Sequence, residues 1–262
     1  MYLEEGRVLA FAHRGGAYHP EIEGLENTLA AFRHAVALGY RYLETDVHVT
    51  RDGALLAFHD EVLDRVTDRV GAIADLTLAE VREARIGGRE EIPTFDQLLD
   101  AFPDARFNID IKSAGASAAL AATVHERDLW DRVLVGSFSP ARIREFRRLT
   151  GGRVPTAAHP WEILAFRLLP SARLADRIAG RDFVAFQVPH RRRRVRVVTP
   201  GLVRRAHAAG KQVHVWTIDD PAEMHELLDR GVDGLFTDRT DLLKDVLVAR
   251  GQWRSQTGEG AS

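Results

Sequence analysis

The sequence predicts a (β/α)8 barrel of the TIM-barrel class, with a small insertion after the second strand. Three observations point there. Short apolar runs alternate with amphipathic helical stretches in strict order, the signature of parallel βαβ units. About eight such units fit into about 250 residues, which is barrel size. Ionisable side chains gather at the C-terminal ends of the strand-like runs, the face on which barrel enzymes carry their sites. A doubly wound open sheet is the alternative, weakened by the lack of a Gly-rich dinucleotide fingerprint.

The elements follow in order. Residues 8–13 are an apolar run ending in His13-Arg14-Gly15-Gly16, a strand and then a loop. Asn27 or Thr28 caps a helix whose apolar face is Leu29, Phe32, Val36 and Leu38, and Gly39 stops it. Residues 40–47 form the second strand. A Thr50-Arg51-Asp52-Gly53 turn leads into a second apolar run, 54–58, ending in His59-Asp60. From 60 to 93 the periodicity weakens into an excursion, with a capping-box start at Thr77 and Glu80. Pro93-Thr94 opens a helix through 102. Strands are then expected at 106–112, 132–137, 154–158, 183–188, 212–218 and 233–237. Helices are expected at 116–127, 140–149, 160–169, 200–209, 221–230 and 240–250. No linker divides the chain, so residues 1–254 read as one domain and the polar 255–262 as a disordered tail.

Composition narrows the function. The chain has 262 residues, 45% of them hydrophobic, enough for a sizeable core. Its formal net charge of -2 gives no sign of nucleic-acid binding. The absence of cysteine removes disulfides, thiolate metal sites and a cysteine nucleophile, and it suits the cytoplasm. The N-terminus lacks a signal-peptide pattern, and no apolar run reaches the length of a membrane span.

The strand ends carry the chemistry. The first offers His13 and Arg14. The second offers Glu44 and Asp46, same-face residues, with His59 following its hairpin. The third offers Asp110 and Lys112. Ser137, His159, Gln187, Trp216 and Thr237-Asp238 end the remaining strands. Glu44, Asp46 and Asp110 make an all-oxygen ligand set that suits Mg2+ or Ca2+ better than zinc. Arg14 and Lys112 are donors for an anion such as phosphate. His13 and His59 can move protons near neutral pH. Such a set fits phosphoryl chemistry, with one imidazole taking a proton and the other protonating a leaving alkoxide. Trp216 and Gln187 read either as pocket wall or as barrel filling. Ser137, His159 and Asp238 read as structural, and Asp60 as orienting its loop.

In order, Ala12-His13-Arg14-Gly15-Gly16, Leu25-Glu26-Asn27-Thr28, Glu44-x-Asp46, His59-Asp60, Asp110-x-Lys112, Val215-Trp216-Thr217 and residues 231–238 (GVDGLFTD) run from about Ala10 to Leu243. Together they resemble the glycerophosphodiester phosphodiesterases. The resemblance implies a TIM barrel, a divalent cation and cleavage of glycerophosphodiesters to glycerol 3-phosphate and an alcohol. It implies His13 and His59 as the acid–base pair and Glu44, Asp46 and Asp110 as metal ligands. Arg14 and Lys112 become phosphate contacts, with Glu26 and Asn27 lining the site. The excursion at 60–93 matches the family's insertion. Two positions depart from the pattern. Leu25 stands where proline is usual, which alters loop stiffness. Asp110 stands where glutamate is usual, so that ligand must sit closer or act through water.

The same residues would also serve a lysophospholipase D or a non-catalytic phosphate-binding barrel, although binding alone needs no acid–base pair. The partner expected is a small phosphodiester, with no nucleic acid, in a monomer or homodimer. Two segments lie apart from this chemistry. The run Arg191–Arg194 with Arg196 is expected as a solvated loop on the catalytic face, able to draw anionic substrates or make a weak contact with anionic lipid. Residues 161–169 (WEILAFRLL) are expected to pack as an ordinary barrel helix, with an acyl-chain mouth as the lesser alternative.

Overall fold

A computed structural model describes residues 2–4, 6–169, 171–179, 182–193 and 195–253. The strands are β1 Leu9–His13, β2 Tyr42–Val49, β3 Leu55–Ala57, β4 Arg106–Ile111, β5 Val133–Gly136, β6 Ala185–Pro189, β7 Arg191–Arg192, β8 Val195–Arg196, β9 Gln212–Trp216 and β10 Gly234–Thr237. The helices are α1 Leu29–Ala37, α2 Leu78–Val81, α3 Phe95–Ala101, α4 Ala116–Glu126, α5 Pro140–Leu149, α6 Pro160–Leu168, α7 Ala172–Ala179, α8 Pro200–His207, α9 Pro221–Asp229 and α10 Thr240–Ala249.

Local sequence sets most boundaries. Thr28 accepts from the Ala31 amide and starts α1. Thr77 with Glu80 and Thr94 with Gln97 form capping boxes on α2 and α3. Ser139, Thr199 and Asp220 cap α5, α8 and α9, each with proline in the first turn.

The main sheet is parallel and curled, in the order β5-β4-β2-β1-β10-β9-β6. Thr156 pairs with Val135 and Ala157 with Ala185, which joins β5 to β6 and closes the circuit. The strand expected at 154–158 is therefore only these bridging residues. Pro155 has no N–H for a ladder, and Pro160 already begins α6.

One apolar core lies between strands and helices, where Phe95, Phe107, Phe146, Phe166 and Phe186 are fully buried. A second fills the barrel, with Tyr2, Leu9, Phe11, Tyr42 and Phe236; the Phe11 and Phe236 rings stack at 4.2 Å. A third belongs to the insertion, where Leu63, Ile73, Val81 and Ile86 pack under Leu56 and Phe58.

Two expectations are corrected. The arginine run, expected as a solvated loop, is exposed but ordered as a hairpin: β7 and β8 pair antiparallel, Arg191 opposite Arg196 and Arg192 opposite Val195. Arg194 and the tail 255–262 lie outside the described residues. The stretch 172–179 forms α7, a helix additional to those expected. Its sequence, ARLADRIA, places Leu174 and Ile178 on one helical side. Among the described residues no helix is long and apolar enough to cross a membrane.

Candidate active site

Strand register assembles the site. His13 on β1 stands level with Glu44 on β2, and Asp46 on β2 stands level with Asp110 on β4. Alternation along β2 turns both of its acids into the barrel mouth. A cavity of about 360 Å³ opens there, lined by His13, Arg14, Glu44, Asp46, His59, Asp110, Lys112, Gln187 and Trp216.

The turn after β1 shapes one wall. Arg14 (φ 49°), Gly15 (φ 87°) and Gly16 (φ 93°) are all left-handed. A Cβ on Gly15 would lie 2.7 Å from that of Ala31, so only glycine lets the turn meet α1. The turn directs the Arg14 amide to Glu44 Oε2 at 3.0 Å and brings its guanidinium Nε within 3.2 Å of Asp46 Oδ2.

Glu26 and Asn27 do not line the cavity. They stand behind the lining and hold it. Glu26 accepts from Arg14 Nη1 at 3.2 Å, and Asn27 donates to Asp46 Oδ2 at 3.4 Å while accepting from the Thr45 hydroxyl at 2.8 Å. Leu25, in place of the usual proline, is buried with Ile22 and Ala31. Gln187 forms the cavity floor with its amide engaged, donating to Asn108 Oδ1 at 2.6 Å and to His214 Nδ1 at 3.4 Å.

Each histidine is anchored through Nδ1 by an aspartate. His13 bonds Asp238 Oδ1 at 2.8 Å, and His59 bonds Asp60 Oδ1 at 2.5 Å. Both Nε2 atoms lack a hydrogen-bond partner among the described residues, and that of His13 lies 3.8 Å from Glu44 Oε2. Their environments differ. Burial works against charge on His13, but Glu44 and then Asp238 outweigh it and lift the imidazole to about 9. Burial also lowers His59, and Arg14 and Lys112 add to this against the pull of Asp46 and Asp60, so its value falls below the ordinary one.

Asp238 and Arg65 were missed as site residues. Asp238 read as structural with Ser137 and His159, yet closure sets the last strand beside the first and brings it to His13. Arg65 comes from the insertion, donates to Asp60 and Glu26 at 2.6 and 2.7 Å, and so ties the His59 loop to the Arg14 turn. Phe138, Pro160 and Ile163 also line the cavity, and the Phe138 and Trp216 rings meet edge to face at 5.8 Å. Phe138 lies on a loop, whereas Pro160 and Ile163 belong to the start of α6, and Ile163 falls in the apolar stretch for which an acyl-chain mouth is the lesser alternative.

The carboxylates converge without forming a ready cage. The Lys112 ammonium bridges Asp46 Oδ1 at 3.0 Å and Asp110 Oδ2 at 2.8 Å. No group of three metal-ligating side chains is set for an ion among the described residues. Yet Asp110 Oδ1 is buried without a hydrogen-bond partner. Burial lifts Asp110 to about 6 despite Lys112, and burial with Asp46 nearby lifts Glu44 to about 7 despite His13. Asp46 resists its burial because Lys112 and Arg14 hold it below the ordinary value. A surplus of buried oxygen charge fits a hard divalent cation.

A cavity lined with charged side chains at this end of the strands is the site of a barrel enzyme. The chain belongs to the glycerophosphoryl diester phosphodiesterase family, whose model matches residues 13–242. It is 44% identical over 255 residues to the Mycobacterium tuberculosis protein named "Probable glycerophosphodiester phosphodiesterase 2", covering 96% of this chain and 95% of that one. It is 27% identical to a human protein named lysophospholipase D, covering 90% and 85% of the two chains. A glycerophosphodiester phosphodiesterase structure from Agrobacterium tumefaciens has the same fold, with a TM-score of 0.73 at 24% identity, covering 90% of this chain and 99% of that one.

Proposed function

We propose that the chain hydrolyses glycerophosphodiesters to glycerol 3-phosphate and an alcohol, with His59 as general base and His13 as general acid. The observation that carries this reading is the pair of Nδ1-anchored histidines facing one cavity from environments that drive their charge states apart. His59, neutral and with Nδ1–H donated to Asp60, takes the proton from the attacking oxygen through Nε2. That oxygen belongs either to water or to the glycerol hydroxyl beside the phosphate. His13, charged and held by Asp238, returns a proton to the leaving alkoxide. Arg14 and Lys112 orient the phosphate. Glu44, Asp46 and Asp110 would hold a divalent cation, Mg2+ or Ca2+, which when bound neutralises charge on the phosphate oxygens.

One observation favours a second substrate class. Phe138, Pro160, Ile163 and Trp216 give the cavity an apolar wall that the glycerol and phosphate groups do not need. That wall suits the acyl chain of a lysophospholipid and a lysophospholipase D activity. Incubation with glycerophosphocholine and with a lysophosphatidylcholine separates the two readings, with choline release and the phosphate product measured with and without chelator. The expected result is turnover of glycerophosphocholine, lost in chelator and restored by a divalent ion. No turnover of either substrate with any divalent ion would overturn the enzyme mechanism.

A further inference from the structure

The excursion between the fifth and sixth strand positions, α6 and α7, does not bury its apolar side as a barrel helix should. Phe166 faces the core, but Trp161 is 66% exposed, Leu168 71% and Ile178 61%, with Leu164 and Leu174 also exposed. On α6 these side chains fall at spacings of three and four, one continuous stripe. Ile163, in the same first turns, lines the cavity, and Phe138 on its rim is 63% exposed. The stripe therefore begins at the mouth of the active site.

The charges left unpaired among the described residues of α6 and α7, and of the hairpin that follows β6, are positive. Glu162 is spent inward on Arg147 and Asp176 on Lys211. Arg167, Arg173 and Arg177 show no ion-pair partner among the described residues, and neither do Arg191, Arg192 and Arg193 on the next strand's hairpin. Arg196 reaches Glu226 only at 3.7 Å, and Glu226 is shared with Arg230. His190 and its partner Glu223 anchor the hairpin base. A basic, apolar face on a chain of net charge -2 is the pattern of a surface that meets anionic lipid.

We infer that the α6–α7 face and the β7–β8 hairpin form a docking surface for an anionic lipid bilayer, set so that the active-site mouth opens at the membrane. The apolar stripe inserts among acyl chains and the arginines hold the headgroup phosphates. Substrate then enters along the Phe138–Ile163 wall from the lipid phase as well as from water.

Flotation of the purified full chain with vesicles tests this. Phosphatidylcholine vesicles containing roughly a third phosphatidylglycerol should bind the protein, and pure phosphatidylcholine should bind it far less. Raised salt should weaken the binding, and Arg191, Arg192, Arg193 and Arg196 all changed to Gln should weaken it at least about tenfold. Trp161→Ser with Leu168→Ser should also lose binding while keeping wild-type turnover of soluble glycerophosphocholine. Trp161→Phe should abolish most of the fluorescence blue shift seen on adding anionic vesicles. The inference fails if anionic vesicles do not bind, or if these variants bind like wild type. It also fails if the variants instead dissolve a concentration-dependent dimer, which would make the face a contact between two copies. Vesicle binding is read without turnover, so its outcome is separate from that of the substrate assignment.

Discussion

The two ends of the barrel hold similar side chains and use them differently. At the N-terminal end the chain's first residues plug the floor. Glu4 Oε1 accepts from Arg41 at 2.9 Å and from Arg106 at 2.8 Å, and Arg7 also pairs with Glu4. The Tyr2 carbonyl accepts from Tyr42 and Arg106, whose guanidinium lies 5.6 Å from the Tyr42 ring. Here cations outnumber the acid and hydrogen bonds satisfy them. At the C-terminal end Glu44, Asp46, Asp110 and Asp238 face Arg14, Lys112 and one histidine. There a buried carboxylate oxygen is left without a partner, and two acids sit well above their ordinary range. A cluster whose cations are met by hydrogen bonds holds structure, whereas an acid-rich one with a buried oxygen left unpartnered is primed for a ligand.

Breaking the upper cluster should be felt first in rate. His59→Ala or His13→Ala should each lower kcat/KM for glycerophosphocholine by roughly a hundredfold or more with an unchanged circular-dichroism spectrum. Wild-type turnover by either variant would remove that residue from the mechanism.

Stability should separate the ends next. Glu4→Gln strands Arg41 and Arg106 and should cost about 2 kcal/mol, a figure reduced for partial exposure. Asp110→Asn removes a buried charge that Lys112, shared with Asp46, only partly compensates, and should leave the metal-free protein unchanged or stabilised by about 1 kcal/mol, while activity falls. Denaturant midpoints in chelator measure both, and a large loss for Asp110→Asn would mean the upper cluster is as structural as the floor.

Between the ends lies His214, which burial pushes from the ordinary 6.5 down to about 3. Its Nε2–H donates to Gln212 Oε1 at 2.8 Å and its Nδ1 accepts from Gln187, the pattern of a neutral ring. The folded value lies below the unfolded one, so the unfolded chain takes up the proton first. This contribution is complete above pH 6.5 and declines as pH falls toward 3. Between about pH 7.5 and about pH 5.5 it should cost about 1 kcal/mol. In His214→Gln the pH dependence of the unfolding free energy should be flatter by that amount, and an unchanged slope would mean that another group carries the acid limb.

Sequence alone determined what short-range rules govern. Caps at Thr28, Thr77, Thr94 and Ser139, prolines in first turns and two-residue alternation along β2 are local, so the order of strands and helices could be read directly. With that order came the barrel, and with the strand ends came His13, Glu44, Asp46, His59, Asp110 and Lys112. Tertiary structure decided whatever depends on closure. Register put His13 beside Glu44 and Asp46 beside Asp110, and Lys112 then bridged the second pair. Asp238 reached His13 across 225 positions, and Arg65 returned from the insertion to bind Asp60 and Glu26. Two bridging residues did the work of a strand, and α6 kept Trp161 and Leu168 in solvent. A local pattern says which side chains share a face. Which partners that face meets depends on contacts between distant segments, and these exist only once the sheet has curled and closed.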